Sequence, residues 1–170
     1  MNRRSFIETL LSSLSLPAAE QEALRVLACS ERTAFPKTLF SRGLLTPEGL
    51  RRAYETLLSL PSFRRDAAEV RPVPPDILPL PFLRARMVVP VSLSDGTLVV
   101  AMADPLDVDA REAIAKVTGR RVAVQVGTEE EIREAIEKAY GEAPRRWSGW
   151  SSRWARKEGN GRKATSGWSG

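Results

Sequence analysis

Histidine is absent from the 170-residue chain, and cysteine occurs once, as Cys29. Without histidine there is no imidazole base, no imidazole metal ligand and no Ser-His or Cys-His nucleophile. A single cysteine excludes an internal disulfide and a multi-cysteine metal site. A reducing compartment is therefore expected, with Cys29 a small buried hydrophobe or a bystander thiol. No apolar run reaches the roughly 18–20 residues needed to span a bilayer. The phosphate-loop string Gly-x-x-x-x-Gly-Lys-[Ser/Thr] is missing between any strand and helix. Gly159-Asn160-Gly161-Arg162-Lys163 has neither flank. Tryptophan is confined to positions 147, 150, 154 and 168.

What is present reads as a globular chain, 42% hydrophobic and 28% charged. The net charge of +5 is unevenly spread. From Ala143 onward seven basic residues meet one acid, Glu158, which leaves 19 basic and 20 acidic residues before it. The body is close to neutral and the tail is strongly basic.

Taken in order, residues 1–60 read as a small helical subdomain. Arg3-Arg4-Ser5-Phe6-Ile7 is similar to a twin-arginine export signal. However, Glu8 is disfavoured there, no clear small-x-small site follows, and Phe6, Ile7, Leu10, Leu11 and Leu14 fall at helical spacing. A helix over 4–14 is expected, then one with Pro17 at N1 running to about Cys29 and carrying Leu24, Val26 and Leu27. A short helix over 36–41 ends at Gly43. Thr46 caps the next, with Pro47 at N1 and Leu50, Tyr54, Leu57 and Leu58 on one face. Residues 61–79, with four prolines between 72 and 79, read as an extended linker.

Residues 80–141 carry the densest local signals. A helix over Leu80–Arg86 leads into strands Val88–Leu93 and Thr97–Met102, joined through Ser94-Asp95-Gly96. Pro90 implies an edge strand or a bulge. Asp104 is expected as the N-cap of the following helix, with Pro105 at N1 and Asp107 at N3, and Val108, Ile114 and Val117 buried as far as Gly119. Arg121–Val126 is the third strand. Thr128 and Glu131 form a capping box for a helix presenting Ile132, Ala135, Ile136 and Tyr140. Capping accounts for these acids without a metal. The fold class is α+β: a helical subdomain, then a β-β-α-β-α unit with a three-stranded sheet.

Residues 142–170 hold no aliphatic side chain larger than alanine and are expected to be disordered. Trp147, Trp150 and Trp154 fall on one face if the segment becomes helical, among Arg145, Arg146, Arg153, Arg156 and Lys157. Basic residues interleaved with aromatics suit an anionic membrane surface or a nucleic-acid backbone, nucleic acid being the weaker of the two. At about 1 kcal/mol per basic residue near anionic lipid, such binding alone is weak. The alternative is a solubilising extension.

The string Gly96-Thr97-Leu98-Val99-Val100-Ala101-Met102-Ala103-Asp104-Pro105-Leu106-Asp107 carries a family likeness, continued by Thr118-Gly119 and by Glu130-Glu131-Ile132 to Ala139-Tyr140-Gly141. It resembles the N-terminal domain of the type II secretion ATPase E and the type IV pilus assembly ATPases, related to the cyclic di-GMP-binding MshEN-type domain, here without the ATPase core. The likeness covers about residues 75–141. Upstream, Ser41 to Leu50 resembles the helical subdomain that precedes this domain in the family.

The resemblance implies a non-enzymatic, cytoplasmic docking or regulatory module, peripheral at the inner membrane, whose partner is a protein of a secretion or pilus machine. It implies no cofactor. A subset of the family binds cyclic di-GMP through tandem motifs that begin Arg-Leu-Gly. Arg42, Gly43, Leu44 and Leu50 fall in the remnant of one such motif, whose opening is Ala34-Phe35-Pro36 in this chain. A cyclic di-GMP receptor is thus one alternative function, and nucleic-acid or anionic-membrane binding through the tail is another.

Overall fold

The computed structural model describes residues 2–30, 34–64, 73 and 77–141. The expectation of a disordered tail falls outside them. Four helices come first: α1 (Arg3–Ser13), α2 (Ala18–Ser30), α3 (Ala34–Ser41) and α4 (Pro47–Leu58). Helix α5 (Leu80–Arg86) then leads into β1 (Val88–Ser94), β2 (Thr97–Met102), α6 (Val108–Thr118), β3 (Arg121–Val126) and α7 (Glu129–Tyr140). The α+β class is as expected. Among the described residues no helix is long and apolar enough to cross a membrane.

Local chemistry accounts for most element boundaries. Asn2 caps α1 by accepting from the Ser5 amide. Helix α2 begins one residue later than expected, since the Pro17 carbonyl accepts from the amides of Glu20 and Gln21 at 3.0 Å each. Helix α3 closes at Gly43, whose φ of +65° lets the Leu44 amide reach back to the Leu39 carbonyl and the Gly43 amide to that of Phe40. This double closure needs a left-handed residue, which glycine adopts without a Cβ penalty. Thr46 caps α4 through Gly49 N, with Pro47 in the first turn.

Strands β1 and β2 form an antiparallel hairpin in which Ser94 pairs with Thr97. The two-residue loop Asp95-Gly96 has φ of +48° and +75°, the handedness that matches strand twist. The register slips between Pro90 and Ser92, at the edge strand where a missing amide proton is tolerated. Strand β3 pairs parallel to β2, giving the order β1-β2-β3 with α6 as the crossover.

Two apolar cores result. In the first, Phe6, Ile7, Leu10 and Leu11 of α1 meet Leu24, Ala28, Phe35, Leu39, Leu50 and Tyr54. The Phe6 and Tyr54 rings stack with centroids 4.5 Å apart. In the second, Leu98, Val100 and Met102 of β2 pack with Leu83, Ile114, Ile132, Ile136 and Tyr140. The cores adjoin through β3, because fully buried Val126 belongs to the helical one.

Three expectations are corrected. Helix α6 starts at Val108 with Asp107, not Asp104, as its N-cap: the Asp107 carboxylate accepts from Ala110 N. Asp104 instead accepts from Leu106 N, two residues on, and turns the chain before the helix begins. Ile114 is buried as expected, with Ala110 one turn before it on the same face, whereas Val108 and Val117 are exposed. In α2 the buried positions are Leu24 and Ala28, leaving Val26 60% exposed; Cys29 is also exposed.

Of the stretch read as a linker, residues 61–63 and Val73 are held by the folded body. The Val126 amide donates to the Pro61 carbonyl, and the Phe63 amide donates to the Val126 carbonyl, adding a one-bridge parallel strand beside β3. Phe63 and Val73 are buried in the sheet's core.

Candidate functional site: the cleft between the two halves

The two halves meet around the turn that follows β2. The Asp104 carboxylate accepts from Arg3 of α1 at 2.6 Å and interacts with the Tyr54 hydroxyl of α4. One acid thus holds a helix start, a helix middle and its own turn. Burial, then the neighbouring Asp104 charge, pushes the Tyr54 phenol far above its usual value, while Arg3 works the other way. The Tyr54 hydroxyl is a fixed neutral group, not an acid or base for chemistry at neutral pH.

Beside this junction lies a cleft of about 550 Å³. Helices α3 and α4 form one wall through Pro36, Phe40, Pro47, Glu48, Leu50 and Arg51. The end of α5 contributes Arg86 and Met87, the β2–α6 turn Asp104 and Asp107, and the start of α7 Thr128, Glu129, Glu130 and Arg133. Its volume lies in the range of clefts that hold small-molecule ligands, roughly 300–1,000 Å³.

Much of the charge is internally engaged. Arg51 donates to Ser62 Oγ at 2.8 Å and sits 3.7 Å from Glu55. Arg86 pairs with Asp107 at 3.1 Å. At the α7 terminus, Thr128 Oγ1 accepts from Glu131 N and Glu131 Oε2 accepts from Thr128 N, the expected capping box. Glu48, Glu129, Glu130 and Arg133 have no ion-pair partner among the described residues. No cluster of three metal-ligating side chains exists among the described residues. The cleft thus combines apolar lining with charged groups that have no ion pair among the described residues.

The residues singled out in the sequence separate into four groups. Asp104, Asp107, Thr128 and Leu50 reach the cleft. Pro105 is buried in the turn and Glu131 caps α7, outside the lining. Arg42 turns away to pair with Glu20 at 3.0 Å, and Gly43 and Leu44 close α3. The tail residues Arg145, Arg146, Trp147, Trp150, Arg153, Trp154, Arg156 and Lys157 lie outside the described residues. Sequence reasoning missed Arg3, Arg51, Arg86 and Arg133. Arginines on solvated helices carry no local signal, and Arg3 meets Asp104 across 101 positions.

Comparison with known proteins agrees with this architecture. Type II secretion system protein E of Xanthomonas campestris pv. campestris is 30% identical over 142 residues, covering 80% of this chain and 25% of its own length. The type IV pilus assembly ATPase PilB of Myxococcus xanthus is 27% identical over 135 residues, covering 79% and 23%. The chain thus spans about a quarter of the length of these curated relatives, and lies in their N-terminal region. A structure of the N-terminal domain of XpsE has a TM-score of 0.63 at 26% identity, covering 83% of this chain and 98% of that one. The structure of MshE with cdg shares the fold, with a TM-score of 0.64 at 23% identity over 79% of this chain and 98% of that chain. The MshEN domain family matches residues 58–146, from the end of α4 through α7, which is more than half of the chain. The protein belongs to the MshEN domain family.

Proposed function

We propose that this chain is a non-enzymatic docking module that engages a protein of a type II secretion or type IV pilus machine through the cleft between its halves. The observation that carries the reading is the family match, whose curated relatives are a secretion-system protein and a pilus assembly ATPase. It is supported by the cleft, which offers shape and unpaired charge but no reacting group. The module acts on the cytoplasmic side, where such ATPases find nucleotide. The test is a pairwise affinity measurement between the purified chain and the inner-membrane platform protein of the same machine. Saturable binding, weakened by Glu48→Arg and Arg133→Glu, is expected. No binding, or binding indifferent to both variants, overturns the reading.

Cyclic di-GMP binding is the second reading, favoured by the fold shared with MshE, whose structure was solved with cdg. Against it, Ala34 and Pro36 stand where the binding motif opens with arginine and glycine, so a guanidinium suited to phosphate or guanine and a close backbone approach are both missing. Gly43 and Leu50 have structural duties of their own. Calorimetric titration decides: absence of heat at high micromolar ligand removes this reading and leaves the first intact.

A further inference from the structure

The cleft is lined by apolar side chains and by an excess of acids, and the chain itself contains a segment of matching chemistry. Pro36, Phe40, Leu50 and Met87 are among its apolar lining. With Arg51, Arg86, Asp104 and Asp107 engaged by neighbours, the lining keeps three carboxylates without an ion pair, Glu48, Glu129 and Glu130, against one guanidinium, Arg133, among the described residues. Residues 145–157 read Arg-Arg-Trp-Ser-Gly-Trp-Ser-Ser-Arg-Trp-Ala-Arg-Lys: five cations, three indoles and no acid.

Reach permits the contact. The cleft lies at the start of α7 and the tail departs from its end, 12 residues later. That helix is about 18 Å long at about 1.5 Å per residue. A chain of six residues, the number from 142 to 147, can span up to about 20 Å, as far as the helix is long. Tryptophan suits the site because its ring buries a large apolar area while its N–H stays at a polar edge.

We propose that residues 145–157 dock in this cleft in cis, indoles on its apolar side chains and cations against Glu48, Glu129 and Glu130. The chain then covers its own cleft until a partner displaces the tail. That regulatory step rests on the docking function above, whereas the intramolecular contact does not.

The distribution of tryptophan supplies the test, since every indole lies in the tail and emission reports on the tail alone. The full chain carrying Trp168→Phe is compared with a free peptide of residues 143–158. The expected result is blue-shifted emission and protection from an aqueous quencher, independent of protein concentration and reduced by salt. The triple variant Glu48→Gln, Glu129→Gln, Glu130→Gln should return both readings to those of the free peptide, with unchanged circular dichroism. Arg145→Glu with Arg146→Glu, outside the folded body, should do the same. Emission and quenching like the free peptide's in the full chain overturn the proposal. So does protection that grows with protein concentration, which assigns the tail to a second copy, or protection that survives both variants. A shift seen only on adding vesicles containing anionic lipid also overturns it and assigns the tail to a membrane surface.

Discussion

The Tyr140 hydroxyl holds both backbone groups of Val73, accepting from its amide at 3.0 Å and donating to its carbonyl at 3.1 Å. These groups are buried, so Tyr140→Phe leaves a donor and an acceptor unsatisfied and should cost about 2–4 kcal/mol in chemical denaturation. Burial also pushes the Tyr140 phenol far above its ordinary value, as it does that of Tyr54, and these are the chain's two tyrosines. Below pH of about 10 both are neutral in folded and unfolded chains and contribute no pH dependence. Above it only the unfolded chain ionises, so stability should fall by about 1.4 kcal/mol per pH unit for each phenol. Phenolate absorbance should stay silent during alkaline titration until the chain unfolds. An early, reversible tyrosine titration in the folded protein would contradict this.

At the scale of elements, the sequence was most legible where one residue settles one hydrogen bond. Thr46, Thr128 with Glu131, and Asp95-Gly96 act over two to four positions, so their roles follow from composition alone. The start of α6 was misread because Asp104, Asp107 and Pro105 satisfy two cap assignments equally well by local rules. What separates them is non-local: Arg3 and Tyr54 hold the Asp104 carboxylate in the turn, leaving Asp107 to cap the helix. Asp107→Ala should therefore cost about 1–2 kcal/mol, and Asp107→Asn, which retains an N-cap acceptor, only a few tenths of that from the cap. A thermal-melt series of the two variants checks the assignment. Equal losses would show that the Arg86 pair, not the cap, carries the effect.

For the molecule as a whole, Phe63 and Val126 tie the halves together. Val126 bonds to the backbone of residues 61 and 63 on its outer side while its side chain completes the helical core, and Phe63 packs against the sheet. Phe63→Ala should cost about 3–5 kcal/mol by cavity formation. Hydrogen exchange should show protection falling together in α4 and β3, since both depend on this seam; loss confined to the sheet would mean that the halves unfold separately. The Arg3–Asp104 pair is a second tie. With side chains 20% and 35% exposed it is only partly screened, and Asp104→Asn should cost about 1–2 kcal/mol. In a double-mutant cycle with Arg3→Gln the losses should be less than additive.

The amino-acid sequence by itself determined the α+β class, the hairpin, the capping box, the family likeness and the lack of histidine-based chemistry. Each of these depends on side-chain type or on spacing within a turn or two. Only the tertiary structure decided where α6 begins, that residues 61–63 extend the sheet, and that Arg3, Tyr54 and Asp104 meet. It alone made a cleft from α3, α4 and the start of α7. Those outcomes depend on which distant surfaces bury one another, and the free energy of such burial is not written in any one stretch of chain.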